Sequence, residues 1–347
     1  MKRKFKNILV TGGSGFIGTN FIHKILEKNS EIKIYNIDKL TYASNNENHK
    51  IIKENFTNYE FNHGDICNKD FIKDLVGDNS IDCIVHFAAE SHVDRSIKQP
   101  EKFLKTNIIG TYNLLEAGLT QYDHNKNFVF LHVSTDEVYG SLDIDSKPFT
   151  ETNQYLPNSP YSASKGASDM LVRAWHHTYN LPTLTTNCSN NYGPYQFPEK
   201  LIPLTIFNAI NLLPITIYGN GKNIRDWLHV EDHCMGILRV LYEGKLGEVY
   251  NIGGNNEYTN IDIVNKICEI LDELRPINNY TKDLKSYNEL ITYIKDRPGH
   301  DYRYAIDSSK LSKNLKWSPK ISFEEGIKAT VIWYLDNQDW VKSVINK

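Results

Sequence analysis

Along the first half of the chain, short apolar runs alternate with amphipathic stretches. Lys6 to Thr11 is a brief apolar run that ends in glycines, and the spacing predicts an amphipathic helix from about Phe16 to Lys28. Ile32-Lys33-Ile34-Tyr35-Asn36-Ile37 alternates as a second strand and stops at Asp38. Ile81 to Phe87 reads as another strand, followed by a helix around Phe103 to Leu119. Phe128 to Ser134 is a buried strand that runs into Thr135. After a long loop with Pro148 and Pro157, Ser159 is a good N-cap and Pro160 a good first helical residue. Such alternation implies βαβ units, an α/β fold with a doubly wound parallel sheet covered by helices on both faces.

From about Asn187 the texture changes. Asn190 to Pro198 is rich in aromatics, amides and prolines, and reads as loop. The stretch from Ile224 to Leu241 is again strand then helix, a return to the first domain. Near the C-terminus, Ser322 and Glu325 make a capping box, with Phe323, Ile327, Val331 and Tyr334 on one helical face. The expected division is a dinucleotide-binding domain over 1–186, with a return segment near 226–252. A smaller α/β substrate-binding domain is expected over 187–225 and 253–347.

Composition narrows the function classes. The chain has 347 residues, 40% hydrophobic and 23% charged, as in ordinary globular proteins. A net charge of -3 gives no basic field for nucleic acid, so an anionic ligand must be held by a few local cations. The five cysteines lie apart with no C-x-x-C pair, which fits reduced thiols in a cytoplasmic protein. No stretch approaches a membrane span. His229 and His233 stand four apart with no third ligand in view, so no metal is expected.

Gly12, Gly15 and Gly18 follow the first strand and open the first helix. Glycine there allows a tight turn and close approach of backbone to a pyrophosphate at a helix N-terminus. Asp38 ends the second strand twenty residues after Gly18, where a carboxylate accepts from ribose hydroxyls and repels a 2′-phosphate. The fold is therefore expected to be Rossmann-like, and the cofactor NAD, with Phe16, Ile17 and Lys39 also in contact.

Two chemistry-bearing groups follow. Tyr161 and Lys165 are four apart and share one helix face; an ammonium near a phenol favours the phenolate, which can take a hydroxyl proton as hydride leaves. Thr135, Asp136 and Glu137 stand at the carboxyl end of a central strand, where open α/β sheets bind ligands. An acid and a base beside the Tyr–Lys pair point to a proton-shuffling elimination after the oxidation. Lys200, Arg225 and Arg297 are cations able to neutralise a diphosphate.

The glycine loop, the Thr135-Asp136-Glu137-Val138-Tyr139-Gly140 run and Tyr161-x-x-x-Lys165 together resemble the extended short-chain dehydrogenase/reductases, and among them the nucleotide-sugar dehydratase family. Ala88 to Ser96, Asn187 to Pro194, Arg225-Asp226-Trp227 and Asp296 to His300 extend the resemblance over nearly the whole chain. It implies conversion of dTDP-glucose to a 4-keto-6-deoxy sugar. Tyr161 would serve oxidation at carbon 4, Glu137 would take the carbon 5 proton, Asp136 would protonate the departing carbon 6 hydroxyl, and hydride would return to carbon 6. It further implies NAD contacts from Asp65, Ile66, Phe87, Ala88, Ala89, Ser91, Thr106 and Asn191. Substrate contacts would come from Ser91, Thr135, Asn190, Lys200, Leu201, Tyr218, Arg225, Asn260, Asp296, Arg297 and His300. A UDP-hexose 4-epimerase would use the same Tyr, Lys and NAD without the acid pair, and a non-catalytic NAD-sensing regulator would need neither group. Ile108, Tyr112, Leu115, Met170, Leu171 and Trp175 give two helices more apolar faces than one sheet buries, so a homodimer is expected.

Overall fold

A computed structural model of the chain describes residues 2–345. These residues form the strands β1 (Asn7–Thr11), β2 (Lys33–Asp38), β3 (Tyr59–His63), β4 (Cys83–His86), β5 (Val129–Thr135), β6 (Thr183–Cys188), β7 (Asn190–Tyr192), β8 (Ile215–Tyr218), β9 (Ile224–His229), β10 (Val249–Ile252), β11 (Glu257–Thr259) and β12 (Ile291–Ile294). Seven of them make one parallel sheet in the order β10-β6-β5-β4-β1-β2-β3. From β1 the chain winds outward through β2 and β3, then returns to β4 on the other side of β1. That reversal opens a crevice at the carboxyl ends of β1 and β4, where such sheets hold ligands.

Local sequence explains the elements. β5 reads VFLHVST and is buried throughout, as a central strand covered on both faces must be. The helix Pro160–Tyr179 starts with a capping box: Ser162 N donates to Ser159 Oγ at 3.0 Å, and Ser159 N donates to Ser162 Oγ at 3.1 Å. The helix foreseen around 103–119 runs from Pro100 to His124 and contains a π-helical stretch, Leu104–Gly110. A single turn of π geometry often marks a functional site. Here it turns Asn107 so that its amide oxygen accepts from Glu90 N and its amide nitrogen donates to Glu90 O, fixing the loop after β4.

A second core forms between the helices Leu201–Ile210, Asn260–Leu274 and Phe323–Asp336, from Ile202, Ile206, Ile263, Ile267, Ile327 and Val331. The capping box at Ser322 and Glu325 is present. The helix Val230–Glu243 instead joins the core beside the main sheet, with Phe21 and Ile25 of the helix Phe16–Lys28. So do Leu311, Leu315 and Trp317, from a stretch the sequence assigned to the smaller domain. Small sheets β11-β9-β7 and β12-β8 stand over the open ends of β1 and β4 to β6 through the residues that line the crevice. No helix among the described residues is long and apolar enough to cross a membrane.

Candidate active site

The crevice widens into a cavity of about 790 Å³, and its walls collect side chains from both cores. At one end lies the glycine loop. Gly12 has φ +70, and a Cβ there would stand 2.7 Å from the backbone of Ala88 after β4. A Cβ on Gly18 would stand 2.4 Å from the Gly12 carbonyl oxygen. The loop is held from below: Gly13 N donates to Asn36 Oδ1 at 3.0 Å, and Ser14 N to Asp38 Oδ2 at 3.0 Å. Ser14 O accepts from Asn48 Nδ2, and Asn48 Oδ1 accepts from Trp340 Nε1 at 2.7 Å, so the C-terminal helix supports the loop through one asparagine. Thr11 Oγ1 accepts from Ala88 N and pairs with His86 Nδ1, locking β1 to β4 at the switch point.

This cradle fits a dinucleotide. Bare glycine backbone faces the cavity at the start of a helix, Asp38 stands at the mouth of β2, and Asp65 with Ile66 closes the adenosine side. Every residue that the sequence assigned to NAD lines the same cavity, Lys39, Phe87, Ala89, Ser91, Thr106 and Asn191 among them.

Midway along stand Thr135, Glu137, Tyr161 and Lys165. Asp136 does not line the cavity. It is only 2% exposed, Oδ1 accepts from Thr135 Oγ1 at 3.4 Å, and Oδ2 is buried without a hydrogen-bond partner. Burial pushes the Asp136 carboxyl well above the usual range, and the neighbouring Glu137 and Asp226 carboxylates push it further. Glu137 is also raised by burial, but Lys200, Arg225 and Arg297 pull it back. The pair is therefore split as an elimination needs, with Asp136 holding the proton and Glu137 the readier base.

Tyr161 departs from the sequence expectation. Burial, then the Glu137 charge, raise its pKa well above the ordinary phenol value instead of lowering it. The reason is where Lys165 points. Its Nζ donates to Val133 O at 2.8 Å and lies 3.5 Å from His132 Nε2, while burial lowers its own pKa against the pull of Asp169. Asp169, pushed up to about 6 by burial, donates nothing to the cavity; it accepts from Ser134 Oγ and lies 3.1 Å from His132 Nε2.

At the far end, Asn190, Leu201, Tyr218, Arg225, Asn260, Arg297 and His300 line the cavity together with Lys200. The cations differ in readiness. Arg225 gives N–H groups to the carbonyls of Ile224, Asp301 and Tyr302 and stacks on Tyr304. Lys200 Nζ donates to Ser91 O, and Arg297 Nη1 to Asp94 Oδ1 at 3.0 Å, yet Arg297 Nε is buried with no partner. That orphaned donor suits an anion. Asp296 is off the wall; its Oδ1 accepts from His300 Nδ1 at 2.6 Å and so orients a residue that is on it. The histidine pair also resolves: His229 Nδ1 accepts from Glu231 N as a helix cap, and His233 is buried with its pKa lowered to about 3.

Sequence reasoning missed several wall residues. Arg95 lies 3.5 Å over the Tyr42 ring and 3.4 Å from Glu199, which ties three loops together across the cavity. Asp94 accepts from both Tyr218 and Arg297. No periodicity marks such loop contacts.

The raised carboxyls carry a stability cost with a definite sign. The folded chain keeps the Asp136 proton to higher pH than the unfolded chain does, so stability falls as pH rises from the ordinary carboxylate range through the folded pKa. Asp136→Asn is expected to melt a few degrees higher than the native chain near pH 8, the gap closing toward about pH 4. Thermal melts across that range check it; a gap that widens on acidification contradicts the assignment.

A parallel sheet with a glycine loop at its switch point, a Tyr–Lys helix and an acid–base pair at a strand end define an NAD-binding dehydratase of the short-chain dehydrogenase/reductase class. The model of the family described as GDP-mannose 4,6 dehydratase matches residues 9–330. The chain is 53% identical over 350 residues to the dTDP-glucose 4,6-dehydratase of Salmonella typhimurium, covering 97% of this chain and 95% of that one. Among solved structures, it is similar to the dTDP-glucose 4,6-dehydratase of Bacillus anthracis in complex with NAD (TM-score 0.85, 45% identity, 98% and 99% covered). It is also similar to DesIV of Streptomyces venezuelae, a dTDP-glucose 4,6-dehydratase with NAD and TYD bound (TM-score 0.88, 40% identity, 97% and 99% covered). The chain belongs to the dTDP-glucose 4,6-dehydratase family.

Proposed function

We infer that the protein dehydrates dTDP-glucose to dTDP-4-keto-6-deoxyglucose. The observation that carries this is the split carboxyl pair, Asp136 and Glu137, beside Tyr161 in one cavity. When bound in the glycine cradle, NAD supplies the hydride acceptor for carbon 4 and the hydride donor for carbon 6. Tyr161 takes the proton of the carbon 4 hydroxyl, with Thr135 steadying the same oxygen. A ketone at carbon 4 acidifies the carbon 5 proton, and Glu137, drawn toward ionisation by three cations, removes it. Asp136 gives its proton to the departing carbon 6 hydroxide. Arg297 and Lys200 bind the diphosphate, Arg297 through the Nε that has no protein partner.

Incubation with dTDP-glucose and with UDP-glucose separates the readings. A 4-keto-6-deoxy product from dTDP-glucose is expected; a galactose product would mark an epimerase, and no turnover a binding protein.

The working form is a homodimer. Its support is revised from the sequence: Leu115 lies in the core, and Leu171 and Trp175 pack against it, whereas Leu104, Ile109 and Met170 are each about half exposed on the two helices. Sedimentation at micromolar concentration should give twice the 40.0 kDa chain mass, and a particle of one chain mass would refute the dimer. Five free cysteines support a reducing, cytoplasmic location.

A further inference from the structure

The dehydration leaves a proton imbalance inside the site. In each cycle the carbon 4 hydroxyl proton passes to Tyr161. The carbon 5 proton goes to Glu137 and a proton comes back to carbon 5. The departing carbon 6 hydroxide takes the Asp136 proton and leaves as water. Hydride lost from carbon 4 is regained at carbon 6, so no net oxidation remains. The enzyme therefore ends with one proton too many on Tyr161 and one too few on Asp136. A second turnover requires that proton to travel from phenol to carboxyl.

The cavity offers Asp136 no direct supply. Asp136 is absent from the wall, and Oδ2 has no hydrogen-bond partner. Its other oxygen has one hydrogen-bonding neighbour among the described residues, Thr135 Oγ1 at 3.4 Å. The same hydroxyl accepts from Glu137 N at 3.3 Å, which fixes its lone pair and leaves its proton for Asp136. On its other side Thr135 is a hydrogen-bonding neighbour of the Tyr161 hydroxyl. Thr135 thus stands between the two groups whose protons fall out of step.

We propose that Thr135 is a proton relay that resets the enzyme after each turnover: its hydroxyl passes a proton to Asp136 Oδ1 as it takes one from Tyr161. The O–H bond of Tyr161 breaks, a new one forms on Thr135, and the original Thr135 proton moves to Asp136, so charge and atoms balance without a co-reactant. The geometry suits the direction of flow, because the buried carboxyl is the group that most resists standing ionised. This role is additional to steadying the sugar oxygen, and it rests on the dehydratase reading.

The test compares first turnover with steady state. NAD-loaded enzyme is mixed with excess dTDP-glucose, and 4-keto-6-deoxy product per site is followed by rapid quench. Thr135→Val keeps the shape and removes the hydroxyl. Its ratio of first-turnover rate to steady-state rate is expected to rise at least tenfold above that of the native enzyme, with a burst of one product per site. Imidazole buffer, a small proton carrier, should raise only its steady-state rate. Thr135→Ser keeps the hydroxyl and should restore the native ratio. An unchanged ratio in Thr135→Val, including a first turnover that falls as far as the steady state, overturns the relay, as does a serine variant that behaves like valine. Native enzyme that yields no 4-keto-6-deoxy product strikes down the dehydratase reading itself, a separate result.

Discussion

Glu137→Gln is expected to lower formation of the 4-keto-6-deoxy product by about 10²–10⁴-fold, the usual effect of losing a positioned general base. The amide keeps the shape of the carboxylate at the cavity wall but cannot accept the carbon 5 proton. Oxidation at carbon 4 depends on Tyr161 and should survive. Carried out in deuterated water, the reaction of this variant should leave carbon 5 unlabelled. Asp136→Asn is expected to lose activity by a similar factor with the opposite label. Glu137 remains, so carbon 5 still exchanges with solvent, while the carbon 6 hydroxide has no acid to leave with. The two variants therefore share a rate and differ in mass spectrum. Native rates in both would sink the assignment, and identical labelling in both would show that the pair does not divide the work between acid and base.

The second large effect concerns the glycine cradle. Gly12→Ala should cut NAD affinity at least about tenfold while the protein remains folded. A left-handed φ costs an L-residue about 1–2 kcal/mol, and about 1.4 kcal/mol is a factor of ten. The new methyl would also stand 2.7 Å from the Ala88 backbone, which is pinned to Thr11 and cannot yield without parting β1 from β4. Calorimetric titration with NAD checks it, beside a circular dichroism melt to establish folding. Unchanged affinity would mean that the cofactor lies elsewhere.

The parts of this site that could be read from sequence are those where one local segment does the whole job. The glycine loop needs only a strand before it and a helix after it. Tyr161 and Lys165 need only one helical turn, and Ser159 announces that helix. Other features depend on what folds over them. Nothing near Tyr161 in sequence tells that Lys165 turns to Val133 O, or that burial and Glu137 would raise the phenol's pKa. β3, with the sequence YEFNH, is half-exposed at the sheet edge and shows little periodicity, which is why it went unforeseen. Asp136 and Glu137 are adjacent in sequence and both acidic. Only the cations that other segments bring to Glu137 decide which of them holds its proton.

The place of β10 in the sheet has a consequence for the chain as it is made. β6 ends at Cys188, but its outer neighbour is completed only at Ile252, 64 residues later. At about 5–20 residues per second, the ribosome needs roughly 3–13 s to supply them. Throughout that interval a nascent chain carries a finished strand with one row of amides and carbonyls open to any passing strand. Fragments that stop before Val249 should accordingly aggregate where the full chain does not, and during synthesis a chaperone that shields β6 would be of most use in those seconds.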